Sequence, residues 1–245
     1  MKTLALVVPC KNEAKRLDVA AFLEAVGKWP WLSFLFVDDG STDSTAETLA
    51  HLSNLSCAMH AIHLPETCGK SHAVRAGVLH LGRISKTDCI GFWDADLATP
   101  LSEIPAFMRY FEENPAMSAV IGSRWARLGG RIRRAKMRGL GGALTRLLAR
   151  RALGVEIYDT QCGAKIFKRE TALELFRQPF RSRWLFDIEL LARMGRRRLL
   201  RNVCEHPLSF WFDAPGSKVG LGAIKELLHF ALRTNFYLPL QDAKK

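Results

Sequence analysis

Short apolar runs alternate with amphipathic stretches through the first half of the chain. Residues 4–8 (Leu4, Ala5, Leu6, Val7, Val8) are apolar without interruption, as expected of a strand covered on both faces. Helical spacing follows over 15–26. A second strand is predicted at 34–37, then a helix over 43–52 with Ser41 or Thr42 as N-cap. A third strand is predicted at 59–64. The helix expected over 70–81 places Ala73, Val74, Gly77, Val78 and Leu81 on one face. A fourth strand is read at 89–93, a helix at 101–111 and a fifth strand at 119–122. This strand–helix rhythm argues for an α/β fold, a mostly parallel sheet with helices on both faces. The second half changes character. A segment rich in arginine, with Gly129-Gly130 and Gly141-Gly142, leads to a strand over 163–168, helices over 170–176 and 185–194, and a late strand over 199–204. Residues 221–232 are amphipathic and helical. The expected division is one domain over 1–220, with a C-terminal helix and tail, 221–245, packed on or next to it.

Charge sharpens this picture. Lysine and arginine number 36 against 24 acidic residues, a net charge of +12. Such an excess calls for an anionic partner: nucleic acid, a membrane surface or a phosphorylated substrate. The excess is concentrated in Arg124, Arg127, Arg131, Arg133, Arg134, Lys136, Arg138, Arg146, Arg150 and Arg151, and again in Arg193, Arg196, Arg197, Arg198 and Arg201. No nucleic-acid-binding motif accompanies it, so a nucleic-acid partner is not expected. The six cysteines are scattered, with no Cys-x-x-Cys pair, and read as reduced thiols of a cytoplasmic protein. The apolar N-terminal run is too short for a signal peptide or a membrane span, and no other stretch reaches that length without charges. Any membrane contact is expected to be peripheral.

The candidate chemistry lies at the strand ends. Asn12-Glu13 follows the first strand, Asp38-Asp39-Gly40-Ser41-Thr42-Asp43 the second, and Asp94-Ala95-Asp96 the fourth. In a parallel sheet these ends share one edge, where open α/β folds bind ligands. One such loop reads equally well as a helix cap. Three acidic strand ends on one edge favour a site. Carboxylates gathered there repel one another unless a cation neutralises them, and a divalent ion carrying a nucleotide diphosphate would do so.

At this point a resemblance appears. Val8-Pro9-Cys10-Lys11-Asn12-Glu13, Val37-Asp38-Asp39-Gly40-Ser41-Thr42-Asp43 and Asp94-Ala95-Asp96-Leu97-Ala98-Thr99-Pro100 resemble the successive motifs of family 2 glycosyltransferases. Gly69-Lys70, Gly122-Ser123-Arg124, Asp159-Thr160-Gln161-Cys162-Gly163, Trp184-Leu185-Phe186-Asp187-Ile188-Glu189 and Gly216-Ser217-Lys218-Val219 are similar to the branch acting on polyprenyl phosphates, most closely the dolichyl-phosphate β-glucosyltransferases. The resemblance implies a GT-A, Rossmann-like fold. It implies an inverting, metal-dependent transfer of a hexose, glucose from UDP-glucose, to a polyprenyl monophosphate. Other nucleotide sugars or a soluble acceptor remain alternatives.

Site residues follow from the same resemblance. Pro9, Glu13, Asp39, Lys70 and Asp94 would form the nucleotide-sugar pocket, with Asp39 on the uracil or ribose. Asp96 would bind Mg2+ or Mn2+, with Asp94 a second metal or ribose contact; hard oxygen ligands suit these ions. Arg124 and Arg138 would take the acceptor phosphate. Asp159 and Asp187 are the further catalytic candidates. Of Asp187 and Glu189, two apart on one helix, one is expected in the site and the other solvated or capping. The basic segment would lie against anionic lipid on the inner face of the membrane. Two departures are expected: Ser71-His72 replaces a small glycine-rich pair, and no stretch reads as a transmembrane helix.

Overall fold

The computed structural model describes residues 1–125, 128–129, 131–133, 157–182 and 185–212. A seven-stranded sheet runs in the order β3-β2-β1-β4-β7-β5-β8. Its strands are β1 (Leu4–Cys10), β2 (Leu32–Asp38), β3 (Met59–His63), β4 (Cys89–Trp93), β5 (Ala119–Ser123), β7 (Ala164–Lys168) and β8 (Val203–Pro207). β3, β2, β1 and β4 are parallel, as are β5 and β8, while β7 runs antiparallel between β4 and β5. A separate two-stranded sheet pairs β6 (Arg131–Arg133) with β9 (Phe210–Phe212). The helices are α1 (Val19–Lys28), α2 (Thr45–Leu55), α3 (Lys70–Ile84), α4 (Ile104–Glu113), α5 (Arg169–Phe176) and α6 (Phe186–Arg196).

The uninterrupted apolar run of β1 is explained by burial on both sides. Leu4, Leu6 and Val8 join the core under α1 and α4, whereas Ala5 and Val7 join the core under α3, α5 and α6. Period-2 alternation therefore separates two hydrophobic layers rather than core from solvent. In the first layer Phe22 of α1 meets Phe34 and Phe36 edge-on, both at 5.0 Å between centroids. Phe22 is fully buried, so its replacement by Ala should cost about 3–5 kcal/mol.

Several boundaries differ from expectation for local reasons. α1 begins at Val19, not 15, because Asp18 caps it by accepting from the Ala21 amide at 3.0 Å. Residues 13–17 instead make a turn on the Glu13 carbonyl. α2 is not capped by Ser41 or Thr42, and starts at Thr45. Those two residues serve the neighbouring loop: the Asn12 amide donates to Ser41 Oγ at 2.9 Å, and the Thr42 amide to Asn12 Oδ1 at 2.8 Å. The late strand is shifted, with a 3-10 turn at Leu200–Asn202 preceding β8. The helix expected over 221–232, the 216–219 motif, Trp184 and Arg138 lie outside the described residues. Among the described residues no helix is long and apolar enough to cross a membrane. All six cysteines are free.

Candidate active site

The carboxyl ends of β1, β2 and β4 converge as anticipated, with Cys10 level with Asp38 in the register and Val7 level with Phe92. The chain leaves β2 through Asp38 and Asp39, both buried. Asp39 receives two backbone amides, Cys68 at 2.8 Å and Gly69 at 2.9 Å. It therefore fixes the loop that leads into α3. Asp38 accepts from the Ser41 amide at 3.0 Å, closing a turn at Gly40. Gly40 has φ of +62°, and a Cβ there would lie 2.8 Å from the Glu66 backbone. Only glycine satisfies both conditions. Lys11 Nζ donates to the Gly40 carbonyl and to Thr67 Oγ1. Glu13 pairs with Arg16 at 2.5 Å, and Pro9 is half-buried opposite Val37.

α3 delivers Lys70 to the same edge. Its ammonium lies 2.5 Å from Asp94 Oδ1 and 5.9 Å from the centre of the Phe92 ring. Burial alone would lower the Lys70 pKa, but Asp94, Asp187 and Asp96 together outweigh it and the net shift is upward. Lys70 is thus held as a cation against Asp94.

Asp94 and Asp96 differ in environment. Asp94 is held by Lys70 and by the chain opposite: its amide donates to the Gly163 carbonyl at 3.0 Å. A Cβ on Gly163 would fall 1.8 Å from Asp94 Oδ2, so glycine is obligatory for this approach. Asp96 follows on a turn in which Leu97 has φ of +50°, and its Oδ1 accepts from the Ala98 amide at 3.1 Å. Burial, and then the charge of Asp94, raise the Asp96 pKa, with Lys70 only partly compensating. An under-neutralised hard carboxylate of this kind fits a divalent cation. Among the described residues no group of three or more His, Cys, Asp or Glu side chains could hold a metal. Among the described residues the acidic edge offers Asp96 and Asp94 to such an ion.

The 159–163 segment links this acidic edge to a second cluster. Arg124, at the end of β5, grips Asp159 with two side-chain bonds, Nε to Oδ2 at 2.6 Å and Nη2 to Oδ1 at 2.8 Å, plus its own amide at 2.9 Å. Such a fork is the strongest geometry open to a carboxylate and guanidinium. Although burial alone would lower the Arg124 pKa, Asp159 outweighs it and the net shift is upward. The guanidinium also lies 5.2 Å from the Trp211 ring centre and feels the charge of Asp94. Glu205 of β8 holds the segment from behind, accepting from the Tyr158 and Asp159 amides, each at 2.9 Å. Burial, moderated by Arg124, pushes the Cys162 thiol up to about 11.

Neither acid of α6 is solvated or capping, contrary to the expectation for one of them. Asp187 pairs with Lys165 Nζ at 2.6 Å, and that lysine also donates to the Cys162 carbonyl at 2.6 Å. Glu189 accepts from Arg193 at 2.7 Å and from the Arg181 amide at 2.9 Å. Sequence reasoning passed over Lys165, which is 1% exposed. The signal was a lysine at a position that alternation assigns to the core, beside Phe167 on one face of β7.

The sequence profile of glycosyl transferase family 2 matches residues 5–176. A dolichyl-phosphate beta-glucosyltransferase of Trichomonas vaginalis is 33% identical over 237 residues, covering 89% of this chain and 67% of the relative. That of Saccharomyces cerevisiae is 28% identical over 250 residues, covering 89% and 69%. Among solved structures, glucosyl-3-phosphoglycerate synthase from Mycobacterium tuberculosis in complex with uridine diphosphate aligns over 98% of this chain and 82% of its own. The TM-score is 0.70 at 19% identity. The same enzyme with Mn2+ and UDP-glucose gives a TM-score of 0.69 at 19% identity, over 98% and 81% of the two chains. The fold is thus GT-A, and the chain belongs to glycosyl transferase family 2.

Proposed function

We propose that this glycosyltransferase moves glucose from UDP-glucose onto a polyprenyl monophosphate with inversion at the anomeric carbon. The observation that carries the reading is the placement of the Arg124–Asp159 fork beside the acidic edge, with residues 159–163 belonging to both. The names of the relatives agree with it.

On this reading Asp39 and its loop, with Pro9 and Glu13, form the wall for uridine. Asp96, beside Asp94, holds Mg2+ or Mn2+. A divalent cation there supplies positive charge to the departing diphosphate. Lys70 keeps Asp94 in place and adds a fixed positive charge at the diphosphate end. Arg124, oriented by Asp159 and lying over the Trp211 ring, presents the Nη1 edge of its guanidinium to the acceptor phosphate. A phosphate oxygen forms the new bond to C1, and the bond from C1 to the UDP oxygen breaks with its electron pair leaving on UDP. That nucleophile is already anionic at neutral pH, so no proton needs removing. The structure supports this economy, since Asp159 is engaged by Arg124 and Asp187 by Lys165. Asp159 is then a positioning residue, and Asp187 with Lys165 supports the 159–163 segment from within.

The test is incubation with labelled UDP-glucose, Mn2+ and polyprenyl phosphate, with phosphoglyceric acid as the water-soluble control acceptor. The expected result is label in the butanol-extractable lipid alone. Label only in the soluble product, or in neither, contradicts the reading.

A further inference from the structure

The two-stranded sheet beside Arg124 is amphipathic in an unusual sense. Its register places Arg131 level with Phe210, Ile132 with Trp211, and Arg133 with Phe212. Paired residues of adjacent strands point to the same side of a sheet. Ile132 and Trp211 turn inward and pack on the hydrophobic core, and Trp211 also stacks on Arg124. The opposite face carries Phe210, 40% exposed, and Phe212, 37% exposed, with ring centres 5.8 Å apart. Arg131 is exposed on that face. A second aromatic pair, Trp125 and Tyr158, also exposed with ring centres 5.4 Å apart, adjoins Arg124 and Asp159 in the chain.

We infer that the outer face of the β6–β9 sheet is the membrane-docking surface, with Phe210 and Phe212 entering the interfacial region of an anionic bilayer and Arg131 meeting its headgroups. Exposed aromatic rings on a water-facing strand are unfavourable in solution and favourable at a bilayer interface. A neighbouring arginine and a chain charge of +12 select an anionic surface over a neutral one. Placement supplies the reason for the site. Trp211, between the two phenylalanines, contacts Arg124 from the other side of the same strand. Docking through this face would hold Arg124 just beneath the bilayer surface, on the inner side of the docked sheet. The inference rests on the polyprenyl-phosphate reading for its purpose, but its test does not depend on transfer.

The test is co-sedimentation of the full chain with phosphatidylcholine vesicles containing phosphatidylglycerol, comparing wild type with Phe210→Ser/Phe212→Ser. Vesicle partitioning should fall about tenfold or more. Phe210→Leu/Phe212→Leu should retain it, and pure phosphatidylcholine should bind wild type weakly. Turnover of a water-soluble, short-chain polyprenyl phosphate without vesicles should stay within about twofold of wild type, which also shows that the variant folds. If the double variant does not fold, each single serine variant should lose about threefold in partitioning. Unchanged partitioning of a folded serine variant overturns the inference, as does a change in oligomeric state with vesicle binding intact. Failure of both proteins to glycosylate any polyprenyl phosphate would refute the acceptor reading and leave the partitioning result to decide the surface.

Discussion

The acidic edge and the arginine fork neutralise their charges by opposite means. At the edge, Asp94 and Asp96 are like charges two residues apart, and Asp96 is left with a raised pKa from burial and from Asp94. At the fork, Asp159 and Arg124 are opposite charges 35 residues apart, already joined by two side-chain bonds. The edge is only partly neutralised by Lys70, and on the proposed reading a cation completes it. The fork is complete beforehand, and what it offers is a guanidinium locked in orientation. One half of the site is therefore expected to depend on metal and pH, the other on bidentate geometry and on folding.

The largest effect that would sharpen this contrast is on Asp96. Asp96→Asn should lower transfer by about a thousandfold or more, whereas wild-type-like turnover would remove the metal role. Stability should move the other way. The folded carboxyl holds its proton more tightly than the unfolded one, so its ionisation costs stability, and that cost vanishes as pH falls through the folded pKa. At neutral pH without donor or cation, thermal denaturation of Asp96→Asn should match or exceed wild type. By the same sign, cation-dependent UDP-glucose binding should weaken as pH falls through the raised value, measured by calorimetric titration across pH.

The fork should respond in stability. Arg124→Ala removes the guanidinium that neutralises the buried Asp159 and should cost about 3 kcal/mol in chemical denaturation. Arg124→Ala/Asp159→Ala should recover part of that loss. If the double variant instead lost the sum of what Arg124→Ala and Asp159→Ala lose separately, the fork would carry no coupling. Lys165→Met should behave alike toward Asp187, with Lys165→Met/Asp187→Leu closer to wild type. A smaller effect is expected where the two halves meet. Gly163→Ala must displace Asp94, raising the KM for UDP-glucose about tenfold while the fold persists. The smallest is Ser41→Ala, which removes the acceptor of the Asn12 amide and should cost about 1 kcal/mol.

The same contrast explains what was legible in the sequence. The acidic edge was readable because it is made of strand ends, and strands buried on both faces announce themselves as short apolar runs. β4 matches its predicted span, Cys89 to Trp93, end to end. Local competition blurred the flanks, as with Ser41 and Thr42, which bond to the loop of Asn12 instead of capping α2. The fork was legible only as two separate candidates, because pairing across 35 residues depends on β7 returning antiparallel between β4 and β5. Alternation does not encode strand direction. β6 and β9 were missed because three-residue strands are too short for a period, and one of them lies within a run of arginines. Lys165 and Glu189 were charges at core positions, explicable only once their partners on other elements are known.

The most direct test of the division between edge and fork is a two-substrate kinetic comparison of wild type with Arg124→Lys. Lysine keeps the charge but loses the planar fork. The expected result is a KM for polyprenyl phosphate raised about tenfold or more, with the KM for UDP-glucose unchanged. A raised KM for UDP-glucose, or no change in either, would contradict the assignment of Arg124 to the acceptor.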